Sequence, residues 1–316
     1  FIVGSPRSGT TLLRFILSSH PRLYIPDETG FIPHLVGAAQ RATPLTLDET
    51  ARVLQKIGRL NYQWQGMVAD VSAFYHTLPT PTLAHILHAL FRQVIAPYGA
   101  ARWGDKTPLY VRYLPVLHEI FPEAKFIHVI RDGRDATLSA QKKWGQAQSW
   151  YMDNYYLLQN WVTNVQIGQR DGSRLPSDQY LEVRYETLVA EPEKVVPQVC
   201  AFLGETFMPD MLDQAQLARK VGPGPDNHTE VMGPISTGSV ARWRSQMSLF
   251  DQKLAHQIAG PLLGQLGYEV PAPPPFTPAE HLQRAGLAAR YALAESLRNF
   301  LYKTGLLTLN RNMRKR

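Results

Sequence analysis

Phe1-Ile-Val3 runs directly into Gly4-Ser-Pro6-Arg7-Ser8-Gly9-Thr10-Thr11, and then into Leu12-Leu13-Arg-Phe-Ile16-Leu17-Ser-Ser19. The first three residues are apolar and β-prone, as at the end of a buried strand. The octet that follows has glycines at its first and sixth positions, the spacing of the phosphate-binding template GxxxxGK[ST]. Residues 10–19 then place Leu13, Ile16 and Leu17 on one helical face, until His20-Pro21 stops the pattern. Strand, glycine loop and helix open a nucleotide-binding α/β unit. The loop N–H groups and the positive end of the helix together form a nest for an anion. One position departs from the template. A nucleoside-triphosphate enzyme places lysine on the β- and γ-phosphates, whereas this chain has Thr10. That loss argues against a kinase or ATPase. Arg7 supplies a planar guanidinium fork instead, suited to phosphate or sulfate.

Working outward, residues 48–60 and 82–96 read as helices, separated by a polar and aromatic stretch around Tyr62-Gln-Trp64. Residues 114–121 read as a short helix stopped by Pro122. Residues 125–130 are a clean strand, followed by Arg131-Asp-Gly-Arg134-Asp135 and a helix through Gln141. A longer helix is expected over 152–169, a strand over 180–183, and a helix over 193–203 that Gly204 closes. The alternation predicts an α/β protein with a P-loop-containing nucleotide-binding fold: a central parallel sheet flanked by helices on both faces, plus a C-terminal helical extension. Gly222-Pro-Gly-Pro225 through Ser239 reads as a long loop, the kind that serves as a lid or substrate wall. We expect a main domain over residues 1–270, closed by Tyr268 and Val270. A stiff Pro-rich linker follows at 271–277, then a basic amphipathic helical tail at 278–316. Thr277-Pro-Ala-Glu280 starts the tail as a capping box. Leu282, Gly286, Ala289, Leu293, Leu297 and Phe300 then fall on one face.

Composition bounds the function classes. Of 316 residues, 44% are apolar and 19% charged, which is ordinary for a globular protein. The net charge of +7 suits anionic ligands. The excess is concentrated in the tail, where Pro278 to Arg316 holds eight Lys/Arg and two Glu. An anionic membrane or polysaccharide is a partner such a tail could contact. A helix packed on the main domain with a solvated basic end is the preferred alternative. Nucleic acid is not expected, because the tail lacks an interleaved aromatic platform. Cys200 is the single cysteine, so no intrachain disulfide and no cysteine metal site can form. The expected setting is cytoplasmic, or peripheral at a membrane surface. Because the chain opens inside a strand, the natural N-terminus is expected to lie upstream. The scattered histidines form no metal-ligand pattern, and no catalytic metal is expected.

With these residues in view, Pro6-Arg-Ser-Gly-Thr-Thr11 resembles the 5′-phosphosulfate loop of sulfotransferases that use 3′-phosphoadenosine-5′-phosphosulfate (PAPS). Leu12-Leu-Arg14, Ser19-His-Pro21, Asp27-Glu-Thr29 and Ile32-Pro33 resemble the tyrosylprotein sulfotransferase branch and its bacterial relatives. The resemblance implies a catalytic base twenty-one residues after the loop arginine, a position that Glu28 holds. It implies a 3′-phosphate site at Arg131 and Ser139, the arginine ending a strand and the serine eight residues on. Arg134 competes for that role, with a surface charge at a helix start as its preferred reading. Gly104-Asp-Lys106-Thr-Pro108 resembles the family turn whose lysine stabilises the bridging oxygen. The stretch Val183-Arg-Tyr185-Glu-Thr-Leu188 is also family-like; Tyr185 either faces the adenine pocket or is a structural aromatic. Ser239-Val-Ala-Arg242-Trp243 resembles the element that closes over the cofactor, with Trp243 equally readable as core. Here the chain departs from the family: the expected serine is Ala241, and Ser236 or Ser239 would have to substitute.

The reading that follows is a PAPS-dependent O-sulfotransferase, with PAP as the nucleotide product. Glu28 acts as base, Arg7, Lys106 and the loop N–H groups as charge stabilisers, and transfer is an in-line displacement at sulfur. Partial burial is expected to raise the Glu28 pKa. His34 is the alternative base, while His20 is read as a helix stop and His128 as a sheet residue. A P-loop phosphotransferase and a non-catalytic PAP or sulfated-ligand binder are the alternatives. The acceptor stays open between carbohydrate or another small-molecule hydroxyl, which is preferred, and peptidyl tyrosine.

Overall fold

The computed structural model describes residues 1–144, 152–213 and 235–303. In chain order the strands are β1 (Ile2–Gly4), β2 (Leu23–Tyr24), β3 (Arg102–Trp103), β4 (Phe126–Ile130) and β5 (Tyr180–Arg184). The helices are α1 (Thr10–Ser18), α2 (Leu47–Leu60), α3 (Val71–Thr77), α4 (Leu83–Ile95), α5 (Leu114–Ile120) and α6 (Gly133–Trp144). They continue with α7 (Asn154–Gly172), α8 (Tyr185–Ala190), α9 (Pro192–Leu203), α10 (Trp243–Gln246), α11 (Leu249–Gln265) and α12 (Pro278–Lys303).

The central sheet is parallel, in the order β1-β4-β5. Ile2 pairs with Ile127 and Gly4 with Val129, while on the other side of β4 Phe126 pairs with Tyr180 and Ile130 with Arg184. β2 and β3 form a separate parallel pair. A single parallel bridge joins Ile2 to Lys106, and the Ile2 N–H donates to the Asp105 carbonyl at 2.9 Å. The segment carrying Lys106 therefore runs along the outer edge of β1.

Alternation along the strands sorts side chains onto two faces. Ile127 and Val129 pack with Leu13, Ile16 and Leu17 of α1 and with Leu188, Val196 and Val199 of α8 and α9. Val3 and Phe126 face the other way, against α2, α4 and α5. Leu13, Ile16 and Leu17 are fully buried, at about 1.5–3 kcal/mol each for removing such a side chain from water. A third cluster joins Ile130 and Ala136 to Leu158 and Trp161 of α7 and to Leu254 and Leu262 of α11.

The predicted strands and principal helices are present. Their ends shift by a few residues where a cap decides the boundary. Asp153 accepts from the Tyr156 N–H at 2.9 Å, so α7 starts after it and runs on to Gly172. α3, α8, α10 and α11 carry no sequence expectation. α3, α8 and α10 are too short to show a period. α11 is buried from several sides and contains Pro261, which blurs any single apolar stripe. The long loop predicted at 222–239 lies outside the described residues up to 234; Thr237–Ser239 is one 3₁₀ turn.

Residues 271–277 form no regular element. The capping box then forms: Glu280 N–H donates to Thr277 Oγ1 at 3.3 Å and Thr277 N–H to Glu280 Oε2 at 2.7 Å. α12 rests on the main body. Lys253 bonds Glu280 at 2.7 Å, Arg290 bonds Asp153 at 2.7 Å, and the Tyr291 ring meets Tyr155 and Tyr156. Leu287 and Ala294 supply the packed side, and the stripe from Leu282 to Phe300 faces solvent. Residues 304–316 of the tail lie outside the described residues.

Candidate active site

The three strands of the central sheet end on one edge, where open parallel sheets bind ligands. The residues after each end meet there: Ser5–Gly9 after β1, Arg131 after β4, and Tyr185 after β5. Pro6 presets the backbone of the loop, and Ser8 N–H donates to the Ser5 carbonyl at 3.2 Å to close the turn. Arg7 and Gly9 both have left-handed backbone, with φ of 69° and 92°. For Arg7 that conformation is strained, a cost the surrounding contacts must hold in place. Gly9 has a second reason to be glycine. A Cβ there would lie 2.2 Å from the Tyr185 ring, which packs directly beneath it. Thr10 is buried at the start of α1, and Asn164 of α7 donates to Ser5 Oγ at 3.3 Å, backing the loop from below.

Arg131 ties the edge together. Its Nη1 donates to the Arg7 carbonyl at 3.0 Å and its Nη2 to the Ser239 carbonyl at 2.6 Å. Its guanidinium lies 4.5 Å from the Tyr185 ring centre. Arg7 Nε donates to Ser139 Oγ at 3.0 Å, so the two proposed 3′-phosphate residues both touch Arg7. The 239–243 segment is also held by α6. Asp135 accepts from the Ala241 N–H at 2.7 Å and the Trp243 N–H at 2.9 Å, with Ala241 at φ 57°. Burial pushes the Asp135 carboxyl up, and those two donors oppose the shift.

Arg134 corrects the sequence expectation of a surface charge. It is buried, forked onto Asp132 with bonds of 2.7–3.2 Å, and lies 3.7 Å over the Trp243 ring. Trp243 is core, at 5% exposure. Tyr185 is likewise buried, as the wall beneath the loop.

Lys106, Thr11 and Glu28 come together from three chain segments. Lys106 Nζ donates to Thr11 Oγ1 at 3.2 Å and forms an ion pair with the Glu28 carboxylate. The Lys106 side chain is 3% exposed and that of Glu28 is 45% exposed. The expected burial of Glu28 is therefore not found. The loop that presents Glu28 sits outside the sheet edge, with its carboxylate at the mouth and its lysine partner inside.

Sequence reading missed the scaffold of this pair. Thr29 and Asp105 are the chain neighbours of Glu28 and Lys106, and Thr29 Oγ1 donates to the Asp105 carboxylate. Thr107 donates to the same carboxylate at 2.7 Å, and Tyr110 OH lies 2.8 Å from Thr29 Oγ1. Burial pushes the Asp105 carboxyl up to about 6, against these hydroxyl donors. Arg14 adds a second brace: it donates to the Ile25 carbonyl at 2.8 Å and pairs with Asp27. Asp105 stands beside Lys106, already singled out, but nothing in the sequence marks a hydroxyl from a distant segment as its partner.

The histidines separate clearly. His20 closes α1, its Nε2 3.1 Å from the Thr206 carbonyl and its Nδ1 accepting from the Arg22 N–H. His128 is fully buried beside Tyr180 OH at 2.7 Å, and burial depresses its pKa to about 3. His34 packs edge-on against Tyr113, and burial with Lys56 nearby lowers it to about 4. Among the described residues no group of His, Cys, Asp and Glu is placed to hold a metal ion.

Three buried donors around the loop find no hydrogen-bond partner among the described residues: Ser8 Oγ, Arg131 Nε and Arg242 Nε. Unpaired buried donors are costly, and phosphate or sulfate oxygens would satisfy all three. The donor set therefore fits a ligand that carries phosphate or sulfate groups.

A nucleotide-type loop without its lysine, a carboxylate paired with a buried lysine, and an arginine at the neighbouring strand end lie together at this sheet edge. The Sulfotransferase family profile matches residues 1–210, and the chain belongs to that family, which transfers sulfuryl groups to acceptor hydroxyls with PAPS as the implied donor. Within it, the chain is similar to the protein-tyrosine sulfotransferases. It is 28% identical to protein-tyrosine sulfotransferase 1 of Danio rerio, over 87% of this chain and 73% of that protein. It is 26% identical to the protein-tyrosine sulfotransferase of Drosophila melanogaster, over 87% of this chain and 52% of that protein. Among solved structures, the sulfotransferase domain of the Synechococcus olefin synthase aligns with a TM-score of 0.55 and 27% identity, covering 86% of this chain and 94% of that one.

Proposed function

We propose that this site transfers the sulfuryl group of PAPS to an acceptor hydroxyl by in-line displacement, with Glu28 as the base. The observation that carries the reading is the position of Lys106, between Thr11 of the loop and the Glu28 carboxylate. PAPS supplies a sulfur activated by its bond to a phosphate oxygen. Glu28 takes the hydroxyl proton as the acceptor oxygen bonds to sulfur. Lys106, Arg7 and the loop N–H groups stabilise the charge that collects on the bridging oxygen as the sulfur–oxygen bond breaks and its electron pair leaves on the nucleotide. Arg131, Ser139 and Arg242 hold the adenosine bisphosphate end, and Tyr185 supports the loop from beneath. Ser239, whose carbonyl is tied to Arg131, stands in for the serine replaced by Ala241.

We assign the acceptor to carbohydrate or another small-molecule hydroxyl, in line with the fold shared with a domain of an olefin synthase. Peptidyl tyrosine is the second reading, favoured by the names of the relatives. A radiolabelled sulfate-transfer screen across phenolic peptides, sugars and aliphatic alcohols tests both. Transfer to peptides alone would overturn the first. PAP binding with no transfer to any class would overturn the enzymatic reading of the site.

A further inference from the structure

Glu28 and the residue after it are opposite cases. The Glu28 side chain is 45% exposed, with its carboxylate paired to Lys106. Thr29 is fully buried, and Asp105, Thr107 and Tyr110 are buried around it. On the other side of Glu28, Asp27 pairs with Arg14 of α1. Asn61 Nδ2 donates to the Glu28 carbonyl at 3.4 Å. A half-solvated carboxylate thus stands on a backbone that is anchored before it, at it and after it.

The protons of the anchor after Glu28 have one arrangement when Asp105 is ionised. Thr29 has a single hydroxyl proton and gives it to one carboxylate oxygen of Asp105. Tyr110 OH must then donate to Thr29 Oγ1, 2.8 Å away, while it accepts from the Ile32 N–H at 2.9 Å. Thr107 donates to the other Asp105 oxygen at 2.7 Å and accepts from the Gly30 N–H at 3.4 Å. Two hydrogen-bond chains therefore start at backbone N–H groups just after Glu28 and end on the two oxygens of one carboxylate. Asp105 is in turn fixed to the sheet, its carbonyl accepting from the Ile2 N–H at 2.9 Å. Lys106 is the next residue. The same aspartate sets both the loop that carries Glu28 and the segment that carries its lysine partner.

We propose that Asp105, acting through Thr29, positions the Glu28 carboxylate beside Lys106 where it receives the acceptor proton. The inference rests on the reading of Glu28 as the base. A flexible carboxylate nearly half in water has many orientations, and a displacement of about 1 Å can cost about a hundredfold in rate. Anchoring the backbone on both sides of Glu28 restricts that freedom. Asp105 and Thr29 act through Glu28 rather than on the reacting atoms, so both are positioning residues.

The test compares Thr29→Val with Thr29→Ser in the full chain. Transfer from PAPS is followed as PAP formed, with a tyrosine peptide, glucose and ethanol as probe acceptors. Valine keeps the shape of threonine and removes the hydroxyl, which also leaves the Tyr110 O–H without its acceptor. kcat should fall roughly tenfold to hundredfold, while KM for PAPS and the affinity for PAP stay within about threefold. Serine keeps the hydroxyl and should hold kcat within about threefold of the parent chain. Asp105→Asn reverses the Thr29 bond and should lose kcat to the same degree as Thr29→Val, a second route if the valine variant does not accumulate. In a Glu28→Gln background, Thr29→Val should change turnover by less than about twofold, because residues that act through one group do not add. Unchanged kcat in both Thr29→Val and Asp105→Asn, an undiminished loss in the Glu28→Gln background, or an equal loss of PAP affinity overturns the positioning role and leaves the base in place. A parent chain that forms no PAP with any probe, or a Glu28→Gln chain that keeps the parent's turnover, overturns the base reading itself and the positioning role with it.

Discussion

The Lys106 ammonium meets the Glu28 carboxylate across 78 residues of sequence, with Thr11 Oγ1 on the other side of the same nitrogen. Glu28→Gln keeps the shape of this contact and removes the proton acceptor. Turnover should fall by roughly 10²–10⁴. PAP affinity, read by calorimetry, should stay within about threefold. Equal losses of turnover and PAP affinity would show that Glu28 holds the nucleotide rather than the proton.

Arg131 holds two carbonyls and stacks on Tyr185, so its loss should be felt twice. Arg131→Ala should weaken PAP binding at least about tenfold. It should also lower stability by about 2–3 kcal/mol, the scale of hydrogen bonds to a charged group. Urea unfolding without nucleotide isolates the second effect. An unchanged PAP affinity would remove Arg131 from the binding site.

Gly9 is constrained by its φ of 92° and by the Tyr185 ring below it. Gly9→Ala should abolish measurable PAP binding and lower the unfolding midpoint. In a Tyr185→Ala background the clash is gone but the backbone strain of about 1–2 kcal/mol remains. Gly9→Ala should therefore cost less there than in the parent chain, though not nothing. An equal cost in both backgrounds would mean that the ring is no constraint.

Asp105 and His34 give opposite pH signatures. The folded Asp105 carboxyl is raised to about 6 by burial, so its contribution is fully present below the unfolded value and is lost as pH rises through about 6. His34 is lowered to about 4, and buried His128 to about 3, so their contributions grow as pH rises towards 6.5. Together the histidines outweigh the aspartate. Asp105→Asn should steepen the rise of stability between about pH 4 and 6, by up to about 3 kcal/mol, while His34→Gln should flatten it. Urea titrations across that window check both signs.

A metal-free mechanism predicts that turnover survives EDTA and gains nothing from Mg²⁺. ATP with Mg²⁺ should compete with PAPS poorly, because Thr10 stands where a lysine would hold the γ-phosphate. A strict Mg²⁺ requirement would return the phosphotransferase reading.

The residues proposed for the donor half could be singled out in the sequence because they are local. Gly4 to Thr11 is one loop, and Arg131 and Ser139 flank one strand-to-helix turn. Glu28 was found by spacing from Arg7, through family resemblance. What supports these residues was not legible. Asp105 is held by Thr29, which is itself bonded to Tyr110, and Asp135 by Ala241 and Trp243, and neither pairing leaves a local pattern. Arg134 looked like a surface charge because helix starts usually are exposed. Only tertiary packing places Trp243 over it.

The bonds from Arg131 to Ser239 and from Asp135 to Ala241 and Trp243 also bear on biosynthesis. Most of the donor site is encoded by residue 139, yet its last fastening lies a hundred residues further on. A nascent chain that has emerged only to residue 234 presents the glycine loop with one arginine nitrogen and one aspartate lacking their backbone partners. Both groups find these partners only once residues 239–243 have been made, so every earlier stage of synthesis leaves the glycine loop held by fewer bonds than in the folded chain.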